Sequence, residues 1–202
     1  MTSFRNKILP IMLSISTLAT GFATAGCGDN NSSNGKVIAD AVESMNLFLS
    51  QAKDEQNFTV ITNQPNVYAF TYYGDVDKFR IDYADTFFYG VVEENNIFKI
   101  SQSDDLSWHK STEIDDLRAP KDQIQSLISK LNALSWTEYN SKTKTLKCEL
   151  ADGMTSAKLI DNELTVNIVY YTDESEKSLE ILVKDVGSTN VTLPENIVDD
   201  TQ

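Results

Sequence analysis

Basic side chains are scarce in this sequence: 17 Lys and Arg stand against 30 Asp and Glu, for a net charge of −13. The first 26 residues hold Arg5 and Lys7 and no acid, so taking away those two positive charges leaves −15 on the remainder. Such a surface repels phosphates and anionic headgroups, which argues against nucleic acid as a partner and against an electrostatic membrane face. Histidine is almost missing. With His109 alone and no paired cysteines, the residue spacing of a zinc site does not arise, and neither a metal nor another cofactor is expected. There is no glycine-rich phosphate cradle, and no serine lies in a nucleophile-elbow motif. A Ser-His-Asp arrangement would have to use His109, which alternation with Trp108 places on a strand facing solvent. Cysteine is limited to Cys27 and Cys148. Cys148 shares an inward strand face with Leu146 and Leu150, where a thiol serves as a small hydrophobe.

What is present begins with an N-terminal pattern. Arg5 and Lys7 make a short positive region, Ile8 to Ala23 carry no charge, and Thr24-Ala25-Gly26-Cys27 follow. This is the layout of a secretory signal, with small residues that let an extended chain enter a peptidase groove. An uncleaved membrane helix is the competing reading of Ile8 to Gly26, but Pro10 and the many Ser, Thr, Gly and Ala residues weaken it. The segment resembles the bacterial lipobox, whose usual form has Leu where Thr24 stands here. That resemblance implies cleavage between Gly26 and Cys27 and a diacylglyceryl group on the Cys27 thiol. The expected organisation is a signal peptide over 1–26, a lipidated flexible tether over 27–35 reaching roughly 15 Å, and one domain over 36–198. The expected location is extracytoplasmic, anchored to the cell membrane.

The domain has an apolar fraction, 41% for the whole chain, that suits a globular fold. Ile38, Val42, Met45 and Leu49 recur at helical spacing, which predicts a helix over Lys36 to Lys53. The period then switches to two. Phe58 and Val60, Phe70 and Tyr72 with Tyr68, then Phe79, Ile81 and Tyr83, then Phe87, Tyr89 and Val91, and finally Phe98 and Ile100 read as successive half-buried antiparallel strands. Gly74-Asp75 and Glu94-Asn95-Asn96 read as hairpin connections. After Pro120 comes a second helix with a stripe of Ile124, Leu127, Ile128, Leu131 and Leu134. Strands resume over Trp136 to Tyr139, Thr145 to Leu150, Ser156 to Ile160, Leu164 to Tyr171 after a turn at Asp161-Asn162, and Ser178 to Val186. Val191 to Pro194 reads as a final edge stopped by proline. The expected class is α+β: about ten strands in a strongly curved antiparallel sheet, a half-open β-barrel, with an N-terminal helix and a mid-chain covering helix.

This layout, over Val37 to Val198 and ending in Asp185-Val-Gly-Ser-Thr-Asn-Val-Thr-Leu-Pro194, resembles the superfamily of lipoprotein carriers and lipid-binding lipoproteins (LolA-like, with the LolB and LppX/LprG types). The resemblance implies an apolar interior that holds acyl chains. Of the 17 Phe and Tyr residues, 11 fall between Phe58 and Phe98, so either a solid core or an apolar cavity lies there. The expected cavity lining is Phe58, Val60, Phe70, Tyr72, Phe79, Ile81, Tyr83, Phe87, Tyr89 and Phe98 from the strands, with Ile124, Leu127, Ile128 and Leu131 from the helix. No catalytic residue is expected. The acidic pairs Asp104-Asp105 and Asp115-Asp116 lack the spacing of a calcium loop. The leading functional expectation is a non-catalytic binder of a lipid or other hydrophobic ligand. The alternatives are an anchored interaction or sensor module with a solid core and no cavity, and a hydrolase built around His109. The protein partner, if any, is not named by any motif.

Overall fold

The computed structural model describes residues 32–63, 70–83, 86–94, 96–112, 118–171 and 175–201. The expected signal peptide, Gly26, Cys27, Tyr68 and the pair Asp115-Asp116 lie outside them. Two helices and twelve strands follow in the order α1 (Ser32–Glu55), β1 (Asn57–Asn63), β2 (Phe70–Asp75), β3 (Lys78–Tyr83), β4 (Thr86–Glu93), β5 (Asn96–Gln102), β6 (Trp108–Ser111), α2 (Pro120–Asn132), β7 (Glu138–Asn140), β8 (Thr145–Leu150), β9 (Gly153–Ile160), β10 (Glu163–Tyr171), β11 (Glu176–Lys184) and β12 (Ile197–Asp199). The class is α+β, with the leading and mid-chain helices where periodicity puts them. No helix among the described residues is long and apolar enough to cross a membrane.

All twelve strands form one sheet in the order β12-β6-β5-β4-β3-β2-β1-β11-β10-β9-β8-β7. Every pairing is antiparallel except that of β12 with β6. The strand expected at Trp108-His109 is β6, and β12 is a strand the periodicity did not give; it begins three residues beyond Pro194. Val191 to Pro194 form no strand. The Val191 N–H is taken by the Asp75 carboxylate at 3.1 Å and its carbonyl accepts from Lys78 Nζ at 3.0 Å, so side chains replace a ladder there.

Helix α1 starts four residues before Lys36, inside the expected tether. Polar residues suit a first turn, where the N–H groups have no helical partner, and the apolar stripe begins at Ile38 a turn later. The helix stops at Gln56, whose φ of 53° and N–H bond to the Ala52 carbonyl at 3.0 Å form a left-handed cap. Helix α2 opens with Pro120 at its first turn and carries Asp122 there and Lys130 in its last turn, each favourable to the helix dipole.

The sheet has apolar residues on both faces. One face packs on the helices: Met45, Phe48, Leu49 and Ala52 of α1 and Ile124 and Leu131 of α2 meet Phe58, Val60, Tyr72, Phe79, Ile81, Leu146, Ala157, Leu164, Val166 and Val183. The opposite face carries a smaller cluster of Tyr89, Ile100 and Val191, with Tyr73, Val91, Trp108, Leu193 and Ile197 around it. That face is covered by residues 185–196, which run from β11 over the β1–β6 half to reach β12. Asn57 fastens this segment: its Nδ2 donates to the Thr189 carbonyl at 2.5 Å and its Oδ1 accepts the Thr189 N–H at 2.6 Å.

Two local readings are corrected by the register. The β2–β3 hairpin turns at Val76-Asp77, since Asp75 pairs with Lys78. Gly74 stays inside β2, buried under Pro120, where an added Cβ would meet the proline Cβ at 3.1 Å and the Tyr72 ring at 3.2 Å. In β4 the helix face holds Phe88 and Gly90 rather than Phe87, Tyr89 and Val91, because Ile81 pairs with Phe88 and Phe79 with Gly90. Gly90 leaves room for the Phe79 ring, which occupies the position of the missing side chain.

Candidate functional site

Alternation along β8–β11 points Leu150, Thr155, Val166, Ile168 and Ile181 toward α2. Facing them, α2 presents Leu127 and Leu131, and Leu134 follows just beyond its end. Between the two lies a cleft of about 520 Å³, with Arg118, Asp122, Gln125, Ser126, Ser129 and Lys130 along its polar side. A smaller recess of about 60 Å³ adjoins it at Val60, Thr62, Ile124 and Leu179 and shares Arg118, Ser126, Leu127, Lys130 and Ile181. The volume and apolar floor fall in the range of small-molecule sites. The start of α2 is held in place from below: Tyr72, whose side chain is buried in the core, donates its hydroxyl proton to the Arg118 carbonyl at 3.1 Å. Burial, and secondly the nearby Asp122 charge, push the Tyr72 pKa well above its ordinary value. Burial, and secondly the Arg118 charge, pull the Lys130 pKa down.

The residues expected to line a cavity separate into three groups, with Tyr83 apart from them. Leu127 and Leu131 border the large cleft, and Val60, Ile124 and Leu127 the small recess. Phe58, Tyr72 and Phe79 fill solid core as a stack with ring centroids 5.9 and 5.3 Å apart; Ile81 is buried with them and Phe70 and Ile128 pack against the same core. Tyr83, at the far end of β3, is partly exposed. Phe87 and Tyr89 lie on the opposite face against Trp108, and Phe98, paired with Val91, faces the same way under the Lys110 ammonium at 4.4 Å. The aromatic half of the sheet is therefore packed, and the opening lies in the aliphatic half. Sequence reading missed Arg118, Lys130 and the β8–β11 lining. The usable signal was the aliphatic alternation of Leu164, Val166 and Ile168, opposite a helix face bounded by cations.

His109 is half-buried and paired rather than solvent-facing. Its Nδ1 lies 2.7 Å from Asp200 and its Nε2 lies 2.6 Å from the Ser107 hydroxyl. The Ser-His-Asp distances match those of a nucleophilic relay. The far side of the serine does not. Ser107 Oγ also bonds Asp105 at 2.6 Å and its N–H is spent on the same carboxylate at 3.1 Å. Hydroxyls of Ser103 and then Ser107 hold Asp105 far below the ordinary carboxylate range. An oxyanion forming at Ser107 would meet this negative charge instead of preorganised donors. The arrangement fastens the start of β6 to Asp200, just after the edge strand β12. Asp105 also shows how its acidic pair is used: it closes a serine-rich turn, and among the described residues no group of three potential metal ligands occurs.

Cys148 is buried and unbridged, with its pKa raised by burial, as befits an apolar packing role.

Comparison with known proteins gives no kinship to add. No family model, curated protein or solved structure matches this chain. The cleft under α2 is thus described by its own chemistry: an aliphatic floor, a helix lid and a cationic margin.

Proposed function

We propose that this chain is an extracytoplasmic lipoprotein, anchored through Cys27, whose domain binds a lipid or other hydrophobic ligand without catalysing a reaction. The observation that carries the reading is the cleft of about 520 Å³ between α2 and β8–β11. Apolar side chains left facing an opening of this size gain by burial against a ligand, at about 25 cal/mol per Å² removed from water. The N-terminal pattern ending in Gly26-Cys27 supports the anchor. In this reading the twelve strands curl about α2 as a half-open barrel of the LolA-like kind, with α2 as the cover over its mouth.

The test is native mass spectrometry and lipid extraction of the full chain carrying Cys27→Ser, so that no acyl group is attached, followed by titration with a fluorescent fatty acid. A bound hydrophobic species, and saturable binding lost on Ile168→Trp, are expected. A ligand-free protein that binds no fatty acid would falsify the reading. A second reading, an anchored interaction or sensor module, is favoured by one observation: the Phe58–Tyr72–Phe79 stack makes half of the sheet solid. Failure of all ligand binding would favour that module, and crosslinking in cells would then identify its partner.

A further inference from the structure

A second opening lies along α1, a groove of about 500 Å³ that shares no lining residue with the cleft under α2 or its recess. Ile38 and Val42 form its floor, half-buried and packed against the core. Leu47 stands beside them and is 65% exposed, although it is a large aliphatic side chain. Asn46, one turn after Val42, and Trp136, two residues before β7, line the same groove. These two carry buried polar atoms that have no hydrogen-bond partner among the described residues: the Asn46 Oδ1 acceptor and the Trp136 Nε1–H donor. A buried polar group left unpaired destabilises a fold, and the great majority in native proteins are satisfied. Here one of each kind borders one apolar groove. A peptide group offers both complements, a carbonyl for the indole N–H and an N–H for the amide oxygen. The Asn46 amide turns about a broad terminal torsion, and Trp136 lies in the connection between α2 and β7, so both can turn to an incoming chain without a change of element.

We propose that this groove docks an extended segment of a partner protein, one that alternates apolar and basic side chains. One of its peptide groups pairs with Asn46 and Trp136, and an apolar side chain covers Val42 and Leu47. Charge selects the basic character. The groove wall carries Glu43, which makes no ion pair among the described residues, and Asp40 is exposed one turn before it. The chain is −13 overall, so a cationic segment is drawn to it and a second copy of the chain is repelled. The extended form follows from the sheet. Strand β7 ends the strand order, is paired only with β8 and packs beside α1, so a segment passing Trp136 meets an unpaired strand edge. The inference does not depend on the lipid reading, since it uses none of the residues of that cleft.

The experiment selects displayed random peptides on the chain from Gly28 onward, which holds every described residue. The enriched peptide is synthesised and titrated by fluorescence in a Trp108→Phe background, where Trp136 is the remaining tryptophan. Enriched peptides are expected to combine Lys or Arg with Leu, Ile or Val, and their binding to shift the Trp136 emission saturably. Asn46→Leu, close in volume and without the acceptor, is expected to weaken binding roughly fivefold or more. The same change removes an unpaired buried oxygen, so it is expected to raise the urea midpoint of the free protein. Weaker binding joined to higher stability is a pair that a purely structural role for Asn46 does not produce. Absence of any enriched peptide overturns the proposal. So does peptide binding untouched by Asn46→Leu and by Leu47→Ser. A lower midpoint in Asn46→Leu shows that Asn46 is already served within the fold, by a bound water included, and overturns it too. A dimer in sedimentation velocity that dissociates on Leu47→Lys gives the groove to a second copy instead.

Discussion

Val76 is a β-branched residue held at a φ of 57° in the turn between β2 and β3, and it is 51% exposed. The left-handed region costs an L-residue with a Cβ about 1–2 kcal/mol, and asparagine tolerates it better. The Val76 N–H bond to the Gln56 carbonyl, 2.8 Å, survives any substitution except proline. Val76→Asn is therefore expected to stabilise the protein by about 1 kcal/mol, read as a higher urea midpoint with an unchanged slope. A lower midpoint would show that the turn is not strained. Gly90 poses the opposite case. Its missing side chain is the space filled by the Phe79 ring, which is fully buried. Gly90→Ala must displace that ring or bend β4, and a loss of about 2–3 kcal/mol is expected in the same measurement. A neutral result would mean that Phe79 has another rotamer open to it.

The element that most distinguishes this fold is the segment between β11 and β12, which covers the second face of the sheet without joining a ladder until Ile197. Its attachment is concentrated at few side chains. Asn57 exchanges two hydrogen bonds with the Thr189 backbone, Thr59 and Thr189 share a buried hydroxyl contact at 3.1 Å, and Asp75 and Lys78 take the backbone of Val191. Asn57→Ala leaves the Thr189 N–H and carbonyl without their partners, at a cost of about 2 kcal/mol. Hydrogen exchange should then rise along 189–199 more than along β9 and β10; uniform acceleration would show instead that the segment unfolds only with the whole domain. This element also marks the limit of what sequence revealed. The periods of α1, α2 and most strands were readable, because alternation and helical spacing are local consequences of one buried face. The side of the sheet to which Phe87, Tyr89 and Phe98 belong was not, because both faces of β1–β6 are covered and both Phe87 and Phe88 are apolar. What decides between them is Gly90 opposite Phe79, a contact across strands. The helix side of the cleft, Leu127 and Leu131, was expected, but its strand side was missed for a related reason: aromatic density suggested the opening, whereas large rings stack and fill space, and the aliphatic strands β8–β11 leave it.

At the scale of the molecule, two buried groups tie stability to pH. Cys148 and Tyr72 both have raised pKa values in the fold, chiefly through burial, against ordinary values of 9.0 and 10.0. The folded state therefore keeps its protons where the unfolded chain loses them. Their stabilisation is complete below about pH 9 and declines as pH rises through the folded values. Unfolding in urea should shift to lower denaturant above about pH 9, and Cys148→Ala should remove the first part of that decline; a flat profile would contradict the burial of both groups. Charge acts on location as well. The domain beyond residue 26 carries −15, from the whole-chain −13 less Arg5 and Lys7. With α1 beginning at Ser32, the Cα of Cys27 stands at most about 18 Å from the helix start, even for fully extended chain. A screening length of about 8 Å at physiological salt means that repulsion from anionic headgroups is felt only near the surface, so an anchored domain faces it constantly and a free one simply diffuses away. The chain from Gly28 onward, lacking both the apolar N-terminal run and the anchor cysteine, is therefore expected to stay in the supernatant when centrifuged with phosphatidylglycerol vesicles, and acylated protein to sediment with them. Sedimentation of this shortened chain that weakens on adding salt would reveal a basic docking face and overturn the argument from charge. Sedimentation insensitive to salt would point to apolar insertion through the exposed Leu47 or Leu106, and Leu→Ser changes at those two positions would separate one from the other.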